Sequence, residues 1–288
     1  MSGLRLYIPA KTAGVVAQQN KSAEINLTIQ DNVTKIGFSN LTLKLKLPNG
    51  AVKEFKTDAL GRIRLKDPQV TAGKVDILAI TDQTGSPHIS YSTFTKTGLA
   101  TNKCELLHIP NKRKTINDIT TKQSITRRPA WGTMTPKYVL MDQDWNYHTI
   151  AIHHSGNGGA KIPTEIESKH MSSKGWYDVG YHFMITPDGK IYEGRHLTFK
   201  GSHVKKANTG KIGILVMGDF QHQIWDWDDN PTKKQLSSLK SLILTLKSAF
   251  PSISKLGGHR DYYATVCPGD ELYKLIPDIR AKTKLGGP

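Results

Sequence analysis

The sequence predicts two domains of different class: an all-β sandwich over residues 1–110 and an α/β domain, a central mixed sheet flanked by helices, over residues 129–288. Three observations predict this. Apolar Leu41, Leu43, Leu45 and Leu47 alternate with Thr42, Lys44 and Lys46, the period of a half-buried strand. Between Pro110 and Pro129 the composition turns to Lys, Arg, Thr and Asn, which reads as a basic linker over 111–128. Beyond it, apolar runs of strand length alternate with helical patterns. With 288 residues, 37% of them hydrophobic and 22% charged, the chain is long and apolar enough for both domains, which excludes disordered, collagenous and coiled-coil classes.

In the first domain, strands are expected over Ala23 to Ile29, Leu41 to Leu47, Ala51 to Phe55, Arg62 to Leu65 and Lys74 to Ile80. Turn chemistry separates them at Pro48-Asn49-Gly50, at Asp58 to Gly61 and at Asp82 to Ser86. The segment Asn49 to Leu65 resembles the transthyretin-like or immunoglobulin-like accessory modules of bacterial proteins, over one hairpin. His88 and His108 are isolated and read as structural or solvent-exposed, and Cys104 as a small buried residue.

In the second domain, strands are expected at Thr149 to Ile152, Tyr181 to Ile185 and Ile212 to Val216. One helix is expected near Thr164, with Glu167 completing a capping box, and another near Thr232, with Gln235 in that role. Leu236, Leu239, Ile243 and Leu246 give the second helix one apolar face.

Forty Lys and Arg against 24 Asp and Glu leave a net charge of +16, which favours a polyanionic partner, whether nucleic acid, an acidic membrane face or an anionic cell wall, and the sign alone does not choose among them. Nucleic acid is not expected, because the sequence carries neither a recognised nucleic-acid-binding motif nor an aromatic-basic stacking array. No apolar run approaches the ~20 residues of a transmembrane helix. The start MSGLRLYIPAKTAGVV places Pro9 and Lys11 where a signal peptide needs an unbroken apolar stretch, so synthesis in the cytoplasm without a cleaved signal is expected. Two cysteines, Cys104 and Cys267, far apart in the sequence, do not make a disulfide framework.

Three segments hold residues suited to a metal: Ile152-His153-His154-Ser155-Gly156 at a strand end, Gly258-His259-Arg260-Asp261, and Thr265-Val266-Cys267-Pro268-Gly269. Two His and one Cys from distant segments would hold a zinc ion and leave a fourth position for water. The same residues also read as hydrogen-bonded core or surface histidines and a buried thiol, and taken alone they leave both readings open.

The order IHHSG, GWYDVGYHFMITPDGKIYEGR, GSHV, NTGKIGI, GHRDYYATVCPG resembles the zinc-dependent N-acetylmuramoyl-L-alanine amidases, a family that includes phage lysozyme-type amidases and the peptidoglycan recognition proteins. The resemblance runs from about Arg128 to Gly269. It implies that His153, His259 and Cys267 bind one zinc ion and that His154 supports them or is structural. Tyr181 matches the family's active-site tyrosine. Thr265 stands where some phage enzymes carry Lys, as in catalytically active recognition proteins. The implied reaction is hydrolysis of the amide between N-acetylmuramic acid and L-alanine. Zinc would polarise the carbonyl and lower the pKa of its water towards ~7, with Tyr181 and Thr265 donating to the oxyanion. Glu193 is a candidate acid/base, although a carboxylate beside Arg195 also reads as an ion pair. Arg195, His203 and Asn208 are assigned to substrate binding, and Trp176 and Tyr177 to packing.

The expected role is a bacteriolytic effector or endolysin acting on the wall after injection or lysis, with a secretion machine or an immunity protein as further partners; a recycling enzyme that stays in the cytosol and cuts soluble muropeptides is a third route. Residues 1–110 would then serve targeting. The alternative is a recognition module that binds peptidoglycan without cutting it, against which Cys267 argues, since such relatives typically replace that ligand.

Overall fold

The computed structural model of the protein describes residues 23–66, 72–156, 159–222 and 230–288. Residues 1–22, on which the reading against a signal peptide rests, lie outside the described residues. Contacts divide the chain into two compact units, one formed by residues up to Thr81 with Tyr91–Ile109, the other by Asp82–Ser90 with Pro110–Pro288.

Up to Ile109 the described chain is made of short strands, as the alternation predicts: β1 (Glu24–Asp31), β2 (Leu41–Lys46), β3 (Val52–Lys56), β4 (Arg62–Lys66), β5 (Lys74–Asp82), β6 (Ile89–Ser90), β7 (Leu99–Ala100) and β8 (Cys104–Ile109), of which β6 is counted with the second unit. β1 is central to a three-stranded sheet, antiparallel to β4 and parallel to β8. Its Ile25, Leu27 and Ile29 are buried while the intervening residues are half-buried, the period-two signature of a sheet with one covered face. β2 and β3 form a hairpin whose turn needs Gly50, at φ +83°. Cys104 departs from expectation: it is exposed, because in β8 the buried phase belongs to Leu107 and Ile109.

The second unit is built on a five-stranded sheet in the order β11-β10-β12-β9-β13, with β9 (Thr149–His154), β10 (Phe183–Ile185), β11 (Ile191–Glu193), β12 (Lys211–Val216) and β13 (Lys255–Gly258). β10, β12, β9 and β13 run parallel and only the edge strand β11 is antiparallel, so the expected mixed sheet is present. All six residues of β9 are buried, as an inner parallel strand covered on both faces requires.

Among the described residues, six α-helices accompany this sheet: α1 (Lys112–Lys122), α2 (Arg128–Trp131), α3 (Pro163–Glu167), α4 (Lys233–Ala249), α5 (Asp270–Tyr273) and α6 (Ile276–Thr283). Ile150, Ile152, Ile212, Ile214 and Val216 share a core with Leu239, Leu242, Ile243 and Leu246 of α4, Ile116 and Ile119 of α1, and Ile276 and Ile279 of α6. α4 starts as predicted: Thr232 Oγ1 accepts from Gln235 N–H and Gln235 Oε1 accepts from Thr232 N–H, each at 3.0 Å. α3 does not start at Thr164. Its N-cap is Ile162, Pro163 takes the first helical position, and Glu165 Oε2 accepts from Lys161 and Ile162 N–H, leaving Glu167 for another partner.

The stretch 111–128, expected as a linker, carries α1 instead. Asn111 caps it by accepting from Lys114 N–H at 2.9 Å, and Ile116 and Ile119, three apart on one face, enter the core together with Ile125. Arg128 follows, 4% exposed, with Nη1 2.7 Å from Glu167 and Nη2 3.2 Å from Asp178, whose side chains are each 1% exposed. Removing one member of such a group strands the others in a low-dielectric interior. Arg128→Ala should therefore cost about 3–5 kcal/mol in urea unfolding, and a loss below about 1 kcal/mol would contradict this account. Among the described residues, no helix is long and apolar enough to cross a membrane.

Candidate metal centre

Pleating sends successive side chains of β9 to opposite faces. His154 turns towards the helix-covered face, where its Nδ1 accepts from Phe220 N–H at 3.2 Å and burial holds its pKa down to about 4. It thus supports the fold. His153 turns to the other face, where Ala151 and, directly across on β12, Gly213 leave room beside it.

β13 runs parallel to β9, with Gly258 opposite Ile152, so the two strands end at the same edge of the sheet. His259, the residue after β13, therefore arrives beside His153, their ring centroids 4.6 Å apart. Cys267 closes the group, its Sγ 3.6 Å from His153 Nδ1. One ligand atom from each of His153, His259 and Cys267 falls within 4.8 Å of the other two, the only such group of three or more His, Cys, Asp or Glu among the described residues.

Burial holds both imidazoles neutral, lowering His259 and pushing His153 well below the usual histidine range, and lifts the Cys267 thiol to about 12. His259 Nε2 is buried without a hydrogen-bond partner among the described residues, a cost the fold tolerates where a further ligand completes the atom's coordination. Two neutral imidazole nitrogens and one sulfur, partly open to solvent, are the donor set and accessibility that suit a catalytic zinc ion, so the residues fit the metal.

The remaining predicted residues fall into three places. Tyr181 stands beside the cluster, its ring 5.0 Å from that of His153, and burial with the neighbouring Cys267 keeps its phenol protonated. Thr265 is half-buried on the same loop as Cys267, its Oγ1 accepting from Cys267 N–H at 3.3 Å.

Glu193 is not with them. Its Oε2 accepts from Arg127 Nε at 2.7 Å and from Arg128 N–H at 3.0 Å, and it is 5% exposed. The candidate acid/base is thus an ion-pair residue, paired with Arg127 rather than with Arg195. Glu193→Gln should keep turnover within about threefold of wild type while costing about 1–3 kcal/mol of stability. A loss of turnover above a hundredfold in a folded variant would return Glu193 to the chemistry.

Arg195 is buried and gives its donors to backbone carbonyls, Nε to Val179 at 2.9 Å, Nη1 to Lys200 at 2.7 Å and Nη2 to Asp178 at 3.3 Å. Asn208 Oδ1 accepts from His203 N–H at 2.8 Å and from Val204 N–H at 2.7 Å, bracing a loop. Both nonetheless line a cavity of about 430 Å3 with Trp176, Tyr177, Leu140 and Asp142. His203, expected to touch substrate, is instead 7% exposed and lies under the metal cluster, its Nδ1 3.0 Å from His153 Nε2.

Trp176 and Tyr177, read from the sequence as packing residues, line the cavity, with Trp176 also resting on His170 at 4.5 Å between ring centroids. Gly201 lines the cavity and also lies against the His203 ring. Leu140, Asp142 and Lys200 carry no motif. They become cavity residues because Lys200 N–H donates to the Asp142 carbonyl at 2.9 Å and joins two distant loops.

Comparison with known proteins bears on this geometry. Residues 141–270 match the family described as N-acetylmuramoyl-L-alanine amidase. The chain is 34% identical over 137 residues to peptidoglycan recognition protein 1 of Rattus norvegicus, across 44% of this chain and 72% of that protein. It is 34% identical over 165 residues to peptidoglycan-recognition protein SC2 of Drosophila melanogaster, across 53% of this chain and 84% of that protein. Among solved structures, an N-acetylmuramoyl-L-alanine amidase endolysin from Clostridium intestinale is 28% identical with a TM-score of 0.48, across 56% of this chain and 96% of that one.

Proposed function

The chain belongs to the family of N-acetylmuramoyl-L-alanine amidases and peptidoglycan recognition proteins, and from that premise we propose that it is a working amidase that cleaves the bond between N-acetylmuramic acid and L-alanine. The observation that carries the catalytic reading is the His153, His259 and Cys267 cluster with its unpartnered His259 nitrogen. When bound there, zinc would supply a Lewis acid for the scissile carbonyl and hydroxide at neutral pH.

The chain's own residues do the rest. Tyr181 stays protonated near neutral pH and so offers a donor hydrogen to the oxygen on which charge develops. Thr265 adds a hydroxyl from the Cys267 loop. Trp176, Tyr177, Arg195 and Asn208 line the cavity in which glycan or stem peptide would lie. Tyr181→Phe removes one donor and little else, so turnover on sacculi should fall about 10²–10³-fold with zinc content unchanged. A variant within about threefold of wild type would remove Tyr181 from the chemistry.

The test of the activity itself is release of free stem peptides from purified sacculi by zinc-loaded protein. Binding to sacculi without release would identify a recognition module. For the first unit we propose a sandwich of its two sheets, serving as an adaptor or wall-targeting module of an injected effector or a phage lysin. The net charge of +16 would assist contact with an anionic wall. The effector reading fails if deleting residues 1–110 leaves export by a secretion machine unchanged.

A further inference from the structure

His203 occupies a slot that two glycines keep open. A Cβ at Gly201 would stand 2.4 Å from His203 Cδ2, and one at Gly213 would stand 2.6 Å from His203 Cδ2 and Cγ. Gly213 lies inside β12, where it faces Ala151 of β9, so the slot is cut into the sheet. Asn208 holds the other side by accepting from the backbone N–H groups of His203 and Val204.

Within the slot the ring has two partners, His153 Nε2 at 3.0 Å from its Nδ1 and the Lys211 carbonyl at 3.3 Å from its Nε2. A carbonyl oxygen only accepts, so His203 Nε2 must carry the proton and donate to it. His203 Nδ1 is then bare and must accept, which obliges His153 to carry its proton on Nε2. His153 Nδ1 is thereby left with a free lone pair, and that is the nitrogen 3.6 Å from Cys267 Sγ. The opposite arrangement would set the bare His203 Nε2 against the lone pairs of Lys211.

We infer that His203 is a positioning residue: with the Lys211 carbonyl it fixes the tautomer and ring orientation of His153, so that Nδ1 is presented to the metal before the metal arrives. This rests on the metal reading above and deepens it, since neither the sequence motif nor the ligand cluster says which nitrogen of His153 binds. The anchor is rigid because Lys211 opens β12, whose register puts it opposite Thr149 and puts Leu215 opposite His153.

The experiment joins zinc affinity to a direct view of the proton. Two-bond 1H–15N correlation spectra of metal-free wild-type protein should show His153 and His203 both as Nε2–H tautomers. His203→Leu keeps bulk but removes the acceptor, so zinc should bind 10–100-fold more weakly and His153 should lose its single tautomer. His203→Asn, whose Oδ1 stands near the position of Nδ1, should restore part of the affinity. Unchanged zinc affinity in a folded His203→Leu variant, or an Nδ1–H tautomer at His153 in the wild type, overturns the inference while leaving the amidase reading standing. Should His203→Leu not fold, the wild-type spectra still decide. Wild-type protein that takes up no zinc overturns the metal reading itself.

Discussion

Cys267→Ala is expected to yield a folded protein that loses its zinc and with it at least about 10³-fold in stem-peptide release, equal to roughly 4 kcal/mol of barrier. Cys267 is one of three donors and lies in the loop that also carries Thr265, while His153 and His259 stand on the ends of adjacent strands and stay in place without it. The thiol also accepts from His154 N–H at 3.5 Å, a weak bond whose loss the strand pairing of β9 tolerates. Cys104→Ala is the control, because Cys104 is exposed in the first unit and should change neither zinc content nor activity. Zinc retained by Cys267→Ala at wild-type affinity, or activity within tenfold of wild type, would contradict the assigned ligand set.

The second large effect concerns acid. Burial holds His170, His182 and His196 each at a pKa of about 3. Each bonds as a neutral ring: His170 and His182 accept on Nδ1 from Gly180 and Gly213 N–H, and His196 Nδ1 lies 2.8 Å from Thr198 Oγ1. The folded pKa is below the unfolded value of about 6.5, so the unfolded chain binds more protons between these limits. Stability is therefore full above pH 6.5 and is lost as pH falls towards 3. From pH 7 to pH 5 the loss is about 2 kcal/mol for each histidine.

Asp178 works the other way, since burial lifts it to about 6 and protonation on acidification favours the folded state, offsetting about 1 kcal/mol. Together with the three histidines this leaves a loss of roughly 5 kcal/mol, to which His154, held at about 4, adds about 2 kcal/mol more, comparable to the whole stability of a marginal domain. Urea unfolding in chelator at pH 7 and pH 5 checks it, with chelator present so that metal release plays no part. A difference under about 1 kcal/mol, or greater stability at pH 5, would mean that these rings are protonated in the folded protein.

What the sequence made legible follows periodicity and motif order. The leucine alternation of β2, the cap at Thr232 and the apolar face of α4 are local patterns, each deciding its own element, and each appears where it was read. The three residues of the candidate metal cluster can be picked out because distinctive short motifs follow one another in a familiar order, and the structure brings them together.

What was not legible depends on contacts between distant segments. α1 reads as charged and solvated residue by residue, and only the spacing of Ile116 and Ile119 hints that one face is buried. Glu193 reads as an acid/base candidate or an ion pair with Arg195 because its actual partner, Arg127, lies 66 residues earlier. His203 looked like a groove residue because the slot that takes it in is formed by Gly201 and Gly213, whose meaning appears only when β12 is laid beside β9.

The most direct test of the central claim is mass spectrometry of sacculi digested with zinc-loaded wild-type protein and, in parallel, with Cys267→Ala, zinc content being measured in both. Free stem peptides beginning with L-alanine, together with glycan strands lacking them, are predicted for the wild type and not for the variant, which should hold no zinc. Wild-type protein that carries zinc and binds sacculi but releases no peptide would contradict the claim and identify a recognition module.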